Sequence, residues 1–356
     1  MGKDKKERQE KRLQEISLLR TIPYSDHQRY ISVFSPQFLA EFVESIVDLM
    51  RNMKWAWLRK YGRNVPKTAF RVFMWWTADT IAVVTGGNRG IGFEMTRQLA
   101  DHGLTVVLTS RDVNVGVEAV KVLQEAGLKV EFHQLDIVDD ASIKEFADWI
   151  QETHGGLDIL INNAGVNFNV GSENSVEHAE QVIRTNYYGT KSVIKAMLPL
   201  MRPSKAGARI VNVSSRLGRL NGKRNRIGND TLREQLSDTA SLTEELIDNM
   251  LNTFLEQAKD GSWTEGGWPQ TFTDYSVSKL AINCYTRFLA RELSDRPEGE
   301  KICVNCFCPG WVKTAMTGWV GNISVEDGAD TGVWLALLPG QPASGKFFAE
   351  RRETSF

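Results

Sequence analysis

The fold is decided by one stretch of sequence, Thr80-Ile81-Ala82-Val83-Val84-Thr85-Gly86-Gly87-Asn88-Arg89-Gly90-Ile91-Gly92. Its first half is a short apolar run rich in β-branched residues, which predicts a buried parallel strand. The second half is a glycine-rich loop, and the spacing of Phe93, Met95 and Leu99 predicts a helix after it. Glycines at such a junction let the backbone turn sharply and approach a pyrophosphate, which binds at the positive end of the helix. The stretch therefore predicts a dinucleotide-binding unit.

Apolar strands and amphipathic helices alternate along the chain beyond this stretch. Strands are predicted at 104–109, 129–134, 157–161 and 209–213. The alternation predicts an α/β fold of the Rossmann type, a doubly wound parallel sheet that binds ligands at the carboxyl ends of its strands. Polar or small residues that follow these strands form the candidate site: Asp136, Asn162, Ala164, Gly165 and Ser215.

Two arginines bear on the choice of dinucleotide. Arg111 follows the second strand, where an acidic side chain would bind the ribose hydroxyls of NAD, and Arg89 lies in the glycine loop. Because arginine at this point accommodates the extra phosphate of NADP, the sequence predicts NADP(H) as cofactor. Asp112 is interpreted as the cap of the next helix.

A phenol and an ammonium group lie one helical turn apart in the stretch Asp274-Tyr275-Ser276-Val277-Ser278-Lys279. Residues at i and i+4 share one face of a helix, so Tyr275 and Lys279 can act on the same small volume. A nearby cation favours the phenolate and lowers the tyrosine pKa from about 10. A lowered pKa suits general acid–base catalysis at neutral pH. The spacing is weak by itself and gains weight only from the preceding motifs.

Composition limits the classes of function. A chain of 356 residues with 42% hydrophobic and 24% charged residues is ordinary for a globular protein. The net charge of −1 gives no general attraction to nucleic acid. No uncharged apolar run is long enough to span a membrane, and the charged residues at 3–6 do not suit a signal peptide. The four cysteines are interpreted as reduced, buried thiols of a cytoplasmic protein rather than a zinc site, because no histidine lies near them in sequence: Cys284, Cys303, Cys306 and Cys308.

Residues 1–75 are predicted to form a basic, amphipathic, partly helical N-terminal extension. Apolar residues recur at three-to-four spacing between 36 and 58, and residues 51–75 hold seven basic side chains, interleaved aromatic residues and no acidic side chain. Several interpretations remain open. The helix packs on its own domain with a solvated basic face, or 36–75 makes weak contact with an anionic membrane surface or a partner groove. Residues 30–74 are otherwise an insertion without a role, and nucleic-acid binding is the least favoured interpretation.

From about residue 80 the chain resembles the short-chain dehydrogenase/reductase family, in its carbonyl-reductase-like plant branch. The resemblance rests on motifs in the family's order: the glycine motif from Thr85 to Gly92, Asn-Asn-Ala-Gly at 162–165, Asn186, Ser215, Tyr275 with Lys279, and Pro309-Gly310 with Thr314. It implies that residues 76–356 form a single NADP-binding domain. The implied activity is reversible reduction of a small-molecule carbonyl to an alcohol with hydride from the nicotinamide.

The resemblance also implies the roles of individual residues. Tyr275 would donate the proton, and Lys279 would lower its pKa and bind the nicotinamide ribose. Ser215 would hydrogen-bond the substrate carbonyl, and Asn186 would hold a water relay. The implied cofactor-binding residues, among which Asp136 meets the adenine and Thr314 the carboxamide, are Gly86, Asn88, Arg89, Gly90, Ile91, Gly92, Arg111, Asp136, Ile137, Asn163, Ala164, Gly165, Tyr275, Lys279, Pro309, Gly310, Val312 and Thr314.

Residues 216–272 are interpreted as a helical insertion before the catalytic tyrosine. The resemblance implies that this insertion covers the substrate site and the helix face used elsewhere for dimerisation, so a monomer is expected. Large apolar side chains are predicted to wall a substrate site for apolar ketones, aldehydes or quinones: Trp263, Trp268, Phe272, Trp311 and Met316. A basic run is expected to face solvent: Arg216, Arg219, Lys223, Arg224 and Arg226.

Two other classes of protein are alternatives to a reductase. A catalytically weak NADP(H)-binding scaffold or redox sensor is the alternative function, and loss of Ser215, Tyr275 or Lys279 would favour it, but all three are present. An extended-type epimerase or dehydratase needs a larger C-terminal domain than the 47 residues after Pro309 provide. The motifs leave the substrate itself open.

Overall fold

The computed structural model describes residues 74–169, 174–222 and 225–356. The chain divides into two units, Met1–Val72 and Phe73–Phe356. Apart from Met74 and Trp75, the predicted extension lies outside the described residues, so its helix and its membrane contact stay predictions. Trp75 itself lies over the guanidinium of Arg209 at 4.9 Å, and Trp76 is buried in the core of the second unit.

An eight-stranded sheet in the order β3-β2-β1-β4-β5-β6-β7-β8 forms the centre of the second unit. Its strands are β1 (Ile81–Val84), β2 (Thr105–Ser110), β3 (Val130–Gln134), β4 (Ile159–Asn162), β5 (Ala208–Val213), β6 (Ile302–Cys308), β7 (Lys346–Ala349) and β8 (Arg352–Thr354). Neighbouring strands pair in parallel except β8, which is antiparallel to β7. The strand order reverses between β1 and β4, the kind of point where doubly wound sheets bind ligands. The predicted Rossmann-type sheet is confirmed.

Helices cover both faces of this sheet. They are α1 (Gly90–Asp101), α2 (Val113–Glu125), α3 (Asp140–His154), α4 (Ala179–Ile183), α5 (Thr190–Met197), α6 (Asp230–Ser237), α7 (Glu244–Asp260), α8 (Thr273–Glu292) and α9 (Val325–Ala336). A π-helical turn (Arg184–Gly189) joins α4 to α5, and 3₁₀ turns lie at Leu198–Leu200, Arg216–Gly218, Ser262–Thr264 and Ala315–Thr317. Among the described residues, no helix has the length and apolar content needed to cross a bilayer.

Strands β1, β2, β4 and β6 are buried along their whole length, which explains their largely apolar sequences. On one face Met95 and Leu99 of α1 pack with Val333 of α9 against the sheet. On the other face Ile143 of α3 and Val277 of α8 belong to a second core. Helix-capping side chains fix the starts of several helices, and Asp112 accepts a hydrogen bond from the Val115 amide at 3.1 Å, so its predicted role as a cap is confirmed.

The insertion packs on the core face that α8 shares with α4. Helix α7 buries one apolar face, Ile247, Met250, Leu251 and Phe254, which is therefore a packing surface. An ion pair holds this helix to α5, because Lys191 Nζ lies 2.8 Å from an Asp248 carboxylate oxygen. Tyr187 donates a hydrogen bond to the same carboxylate at 2.9 Å.

The four cysteines are free and buried, as predicted. Cys303, Cys306 and Cys308 lie in β6, and Cys284 lies in α8. Burial raises the pKa of Cys284 to about 12, so its thiol stays protonated at neutral pH.

Candidate active site

The glycine loop between β1 and α1 is supported by the turn that follows β4. Gly86 and Gly90 have φ of +62° and +57°, a left-handed conformation that favours glycine. Asn163 Nδ2 donates to the carbonyls of Thr85 and Gly86 at 2.9 and 3.0 Å. Thr85 Oγ1 accepts from the amides of Asn163 and Ala164. The Asn163 side chain therefore holds the loop in place.

The N-terminus of α1 is open to an anion. Arg89 is the N-cap residue but makes no capping side-chain bond, and the first turn, which includes Ile91 and Gly92, carries no acidic residue. The first amides of a helix lack intrahelical partners and carry its positive dipole end. A Cβ added to Gly90 would meet only the side chain of Thr314, at 3.4 Å, so a space remains between the two segments. This donor set fits a dinucleotide pyrophosphate.

The residues predicted to select and hold the adenosine half lie at the ends of β2 and β3. Arg111 is exposed, and so is Arg89, and neither forms an ion pair within the described part of the chain. Asp136 is half-buried and its Oδ1 accepts from the Val138 amide at 3.1 Å. Ile137 is buried beside it. Asn88 is half-buried in the glycine loop.

The turn that carries Ser215 is fixed to α8. Ser214 Oγ donates to Asn283 Oδ1 at 2.6 Å, and Asn283 Nδ2 donates to the Gly218 carbonyl at 2.8 Å. Gly218 lies so close to α8 that an added Cβ would approach the Leu280 amide nitrogen to 2.5 Å. Ser215 is half-buried, and its Oγ accepts from the Leu217 amide at 3.1 Å. These contacts hold the serine beside the helix that bears the tyrosine.

Tyr275 and Lys279 lie in the first half of α8, as the spacing predicted. Lys279 Nζ is 5.5 Å from the centroid of the Tyr275 ring and donates to the Val213 carbonyl at 2.8 Å. The lysine is 5% exposed and the tyrosine is half-buried. Both groups therefore occupy a largely desolvated volume.

The pKa of Tyr275 differs from the expectation. We expected Lys279 to lower it, but burial raises the pKa of Tyr275 above its usual value of 10. Burial also lowers the pKa of Lys279 to about 8. The expectation was wrong, because desolvation disfavours the charged form of both groups. The ammonium is also directed at the Val213 carbonyl rather than at the phenol oxygen.

Asn186 lies in the π-helical turn and links three elements of the site. Its Oδ1 accepts from the Val166 amide at 2.7 Å, and its Nδ2 donates to the Val166 carbonyl and to Ser278 Oγ. A Cβ added to Gly165 would lie 3.0 Å from Asn186 Oδ1 and 3.7 Å from Lys279 Nζ. The Asn186 and Lys279 side chains therefore converge at Gly165. Single π-helical turns are often found at functional sites.

The segment after β6 faces the glycine loop. Gly310 has a φ of +86°, and Pro309 beside it is half-buried. Val312 is buried and forms an isolated bridge with Ile323. Thr314 is buried, caps the following 3₁₀ turn and faces Gly90 as described above. Thr314, a predicted cofactor residue of this segment, therefore lies opposite the N-terminus of α1.

The predicted apolar wall is wrong at Trp268. Trp268 is buried in the core, where its ring packs on Phe254 at 5.1 Å and its Nε1 donates to Gln257 at 2.6 Å. Trp263 is half-buried against the same core. Trp268 therefore packs inside the insertion and offers little surface to a ligand. Phe272 and Trp311 instead stack on each other at 6.5 Å, and Trp311 and Met316 are both 44% exposed.

The basic run after Ser215 is directed outward or toward the C-terminal segment. Arg216 is exposed and pairs with Glu350 at 2.9 Å. Arg219 Nε donates to the Ser355 carbonyl at 2.8 Å. Arg226 is exposed, and Lys223 and Arg224 lie outside the described residues. The expectation of a solvent-facing run holds for Arg216 and Arg226.

Asn283 is one residue near this site that the sequence motifs did not single out. It is 1% exposed and connects Ser214, Gly218 and, through a weak Cys306 thiol contact at 3.4 Å, strand β6. A signal was available, because Asn283 is the fourth residue after Lys279 and so lies on the same helix face. A polar residue on a buried face needs hydrogen-bond partners, which here position the serine turn.

Comparison with known proteins agrees with this geometry. Residues 80–226 match the family described as short chain dehydrogenase. The chain is 42% identical over 299 residues to (+)-neomenthol dehydrogenase of Arabidopsis thaliana, an alignment that covers 77% of this chain and 97% of that protein. The chain therefore belongs to the short-chain dehydrogenase/reductase family of oxidoreductases, and the predicted family is confirmed.

Other relatives support the predicted branch. Carbonyl reductase [NADPH] 1 of Homo sapiens is 40% identical over 276 residues, which are 76% of this chain and 96% of that protein. The solved structure of salutaridine reductase from Papaver somniferum superimposes with a TM-score of 0.69 at 40% identity and covers 76% of this chain and 99% of that chain. These relatives are reductases, so the chain is similar to enzymes of the class that the resemblance implied.

Proposed function

We propose that this protein reduces the carbonyl of a small, mainly apolar ketone, aldehyde or quinone to an alcohol, reversibly, with NADPH. The proposal is carried by one observation, the convergence on helix α8 of the four predicted catalytic residues, Asn186, Ser215, Tyr275 and Lys279. Asn186 binds α8 through Ser278, and the turn that carries Ser215 binds it through Asn283. Gly165 lies beside both Asn186 and Lys279. Reductases at about 40% identity support the same class of reaction.

The cofactor is NADP(H), in keeping with the carbonyl reductase [NADPH] relatives. The amides of the first turn of α1 would bind the pyrophosphate, and Thr314 would contact the nicotinamide carboxamide. Arg89 and Arg111 are exposed and would bind the 2′-phosphate through charge-assisted hydrogen bonds. When bound, the cofactor supplies the hydride.

The protein's own groups would stabilise the carbonyl oxygen as charge develops on it. Ser215 Oγ and the Tyr275 hydroxyl are the two donors, and fixed donors in a desolvated site stabilise such charge strongly. Burial keeps Tyr275 protonated, so the phenol is able to give its proton to the product alcohol. Lys279 would bind the nicotinamide ribose, and Asn186, held by Val166 and Ser278, would orient a water that returns the proton.

The substrate class is proposed from the rim of the site. The stacked rings of Phe272 and Trp311, with Met316 nearby in sequence, offer apolar surface to a ligand. Burial of such surface contributes about 1.5 to 3 kcal/mol for each large apolar side chain. Arg216 and Arg219, the nearest basic residues in sequence to Ser215, are engaged with Glu350 and Ser355. The site therefore suits cyclic or aromatic carbonyls better than phosphorylated ones.

The test is NADPH oxidation against a panel of carbonyl compounds, with Tyr275→Phe as the key variant. Loss of the proton donor is expected to lower kcat by roughly 10²-fold or more while NADPH binding is retained. Tyr188→Phe is the matched control, since Tyr188 is half-buried in the π-helical turn and has no role in the proposal. Parental turnover by Tyr275→Phe would contradict the proposed proton donor. Failure of every carbonyl in the panel would favour an NADP(H)-binding scaffold or redox sensor.

The substrate class has its own test. Efficient reduction of a carboxylated or phosphorylated carbonyl, with no turnover of apolar ketones, would contradict the apolar site. Loss of that activity on neutralising Arg216 and Arg226 would assign anion binding to the basic run.

We further propose that the protein is a monomer in a reducing, cytoplasmic environment. Helix α7 covers the core face formed by α4 and α8, which supports the monomer, and the four buried free thiols support the reducing compartment. Light scattering after size exclusion should give the mass of one chain, and a dimer mass would contradict the first statement.

A further inference from the structure

The first turn of the catalytic helix is capped by a residue from another segment. Phe272 is the N-cap of α8 and provides no side-chain acceptor. Asn174 takes this role from the loop that follows β4, because its Oδ1 accepts from the Thr273 amide at 2.8 Å. Its Nδ2 donates to Thr273 Oγ1 at 2.8 Å and to the Gln270 carbonyl at 3.2 Å. One asparagine thus binds both the start of α8 and the end of the insertion.

A second connection between the same two segments runs through Asp274. This carboxylate is completely buried, and its Oδ1 accepts from the Tyr275 amide and from Asn169 Nδ2, each at 2.6 Å. Asn169 Oδ1 in turn accepts from the Ser175 amide at 3.0 Å. Asp274 Oδ2 is buried without a hydrogen-bond partner among the described residues. Burying a carboxylate with one unsatisfied oxygen lowers the stability of the fold, so the presence of Asp274 is better explained by a functional role than by stability.

These connections bear directly on Tyr275, the third residue of α8. The first four amides of a helix have no intrahelical partner, and the first turn frays unless other groups bind them. Phe272 adds strain, because it adopts a left-handed φ of 47° that is unfavourable for a side chain of this size. The Tyr275 phenol therefore keeps its place only if the turn that carries it is held from outside the helix.

The loop that holds this turn also holds the opposite wall of the site. Val166, near its start, exchanges hydrogen bonds with Asn186 through both amide and carbonyl. Asn169 and Asn174, further along, bind Asp274 and Thr273. Residues 166–169 thus connect Asn186 to the first turn of α8.

We propose that Asn174 and Asp274 are positioning residues for Tyr275, which fix the first turn of α8 to the loop after β4. The inference rests on the proposed function, in which Tyr275 is the proton donor. Neither residue needs to touch the substrate, the cofactor or the reacting atoms. Their effect should therefore fall on kcat and leave NADPH affinity unchanged.

The experiment compares truncation with conservative replacement at each position. Asn174→Ala removes the acceptor of the Thr273 amide, whereas Asn174→Asp keeps it, because aspartate and asparagine cap helices about equally well. Asp274→Ala removes both accepted bonds, whereas Asp274→Asn keeps an oxygen in the same place. Asn249→Ala is the control, since Asn249 is exposed on α7.

Both alanine variants are expected to lose on the order of tenfold or more in kcat, since a displacement of about 1 Å can cost a hundredfold. The Kd for NADPH should stay at the parental value, and Asn174→Asp and Asp274→Asn should recover most of the kcat. Parental kcat in both alanine variants would overturn the inference. A loss that the conservative variants do not recover, or that comes with an equal loss of NADPH affinity, would also overturn it, because it indicates general misfolding.

Hydrogen exchange gives a readout that does not depend on any substrate. Amides of the first turn of α8 should exchange faster in Asn174→Ala and Asp274→Ala, while amides near the middle of α8 keep the parental rate. If the parental protein turned over no carbonyl, the proposed function would fail, and this exchange measurement would still decide the inference. Unchanged exchange in the first turn would refute it.

Discussion

A single methyl group at Gly218 should separate Ser215 from the catalytic helix. Gly218 ends the turn that Ser215 begins, and its carbonyl accepts from Asn283 of α8. A Cβ at this position would lie 2.5 Å from the Leu280 amide nitrogen and 2.7 Å from the Lys279 carbonyl oxygen. Both neighbours are backbone atoms inside a helix, so neither can rotate away. The Gly218→Ala change must therefore move the turn outward.

The size of this movement follows from the contact distances. Ordinary van der Waals contact begins near 3.4 Å, so a contact at 2.5 Å requires a shift of about 0.9 Å. A misplacement of about 1 Å in a catalytic group can cost on the order of 10²-fold in rate. Overpacking of this kind also destabilises a protein by about 1 to 3 kcal/mol. We expect kcat for carbonyl reduction to fall by roughly 10²-fold with NADPH affinity retained.

The assay needs a control that separates displacement from simple destabilisation. Gly207→Ala, at the opposite end of β5 from Ser215, is matched because its added Cβ would approach the backbone carbonyl oxygen of Lys301 to 2.8 Å. It should lower the unfolding free energy by a similar amount and keep kcat near the parental value. Steady-state kinetics and urea unfolding measure the two effects. Parental kcat in Gly218→Ala, or an equal kcat loss in the control, would refute the reasoning.

Three further outcomes are expected. Replacing Arg89 and Arg111 by neutral residues should remove about 1.5 to 3 kcal/mol of NADPH binding energy per charge-assisted bond. The ratio of kcat/KM for NADPH to kcat/KM for NADH should therefore fall. A parental protein that uses both cofactors equally would contradict this. Between pH 8 and 10 the folded chain releases the Lys279 proton while the unfolded chain, with a pKa near 10.5, keeps it, so stability should rise with pH. From pH 8 to pH 10 the unfolding free energy of the parent should rise by on the order of 2 kcal/mol more than that of Lys279→Met. If urea unfolding gave the same pH dependence for both proteins, the role of Lys279 would be contradicted. Asp248→Ala should lower the unfolding free energy by about 2 kcal/mol, because it leaves the nearly buried Lys191 with one fewer counterion. Asp238→Ala, at an exposed position, is the control and should leave the unfolding free energy unchanged. Equal unfolding midpoints for the two variants would contradict the role of the Lys191–Asp248 pair.

The fold and the motif residues could be predicted because their signals are local. The strand at Ile81–Val84 and the glycines after it follow from residue type and from the left-handed φ of Gly86 and Gly90. Asp112 was recognisable as a cap because an N-cap aspartate acts on an amide three residues away. Such features depend on neighbours in sequence, and these are visible without a structure.

The features that were predicted wrongly or missed depend on contacts between distant segments. Trp268 looked like a pocket wall because it precedes Tyr275, but Phe254 and Gln257 from the preceding helix enclose it. Asn174 carried no motif, and its value appears only when the loop after β4 meets the start of α8. Tertiary pairing of this kind has no periodicity that a sequence could display.

The titration of Tyr275 and Lys279 bears on the direction of the reaction. Sequence spacing alone suggested a lowered tyrosine pKa, because it counts the cation and not the solvent that burial removes. In the folded chain desolvation raises the pKa of Tyr275 and lowers that of Lys279 to about 8, so the proton of the phenol is held at neutral pH. Reduction of a carbonyl needs a proton donor at this position, whereas oxidation of an alcohol needs the phenolate as a base. The phenol therefore carries its proton at neutral pH, the form that the proposed reduction needs, whereas oxidation of an alcohol would require ionising a buried phenol, which becomes easier as pH rises.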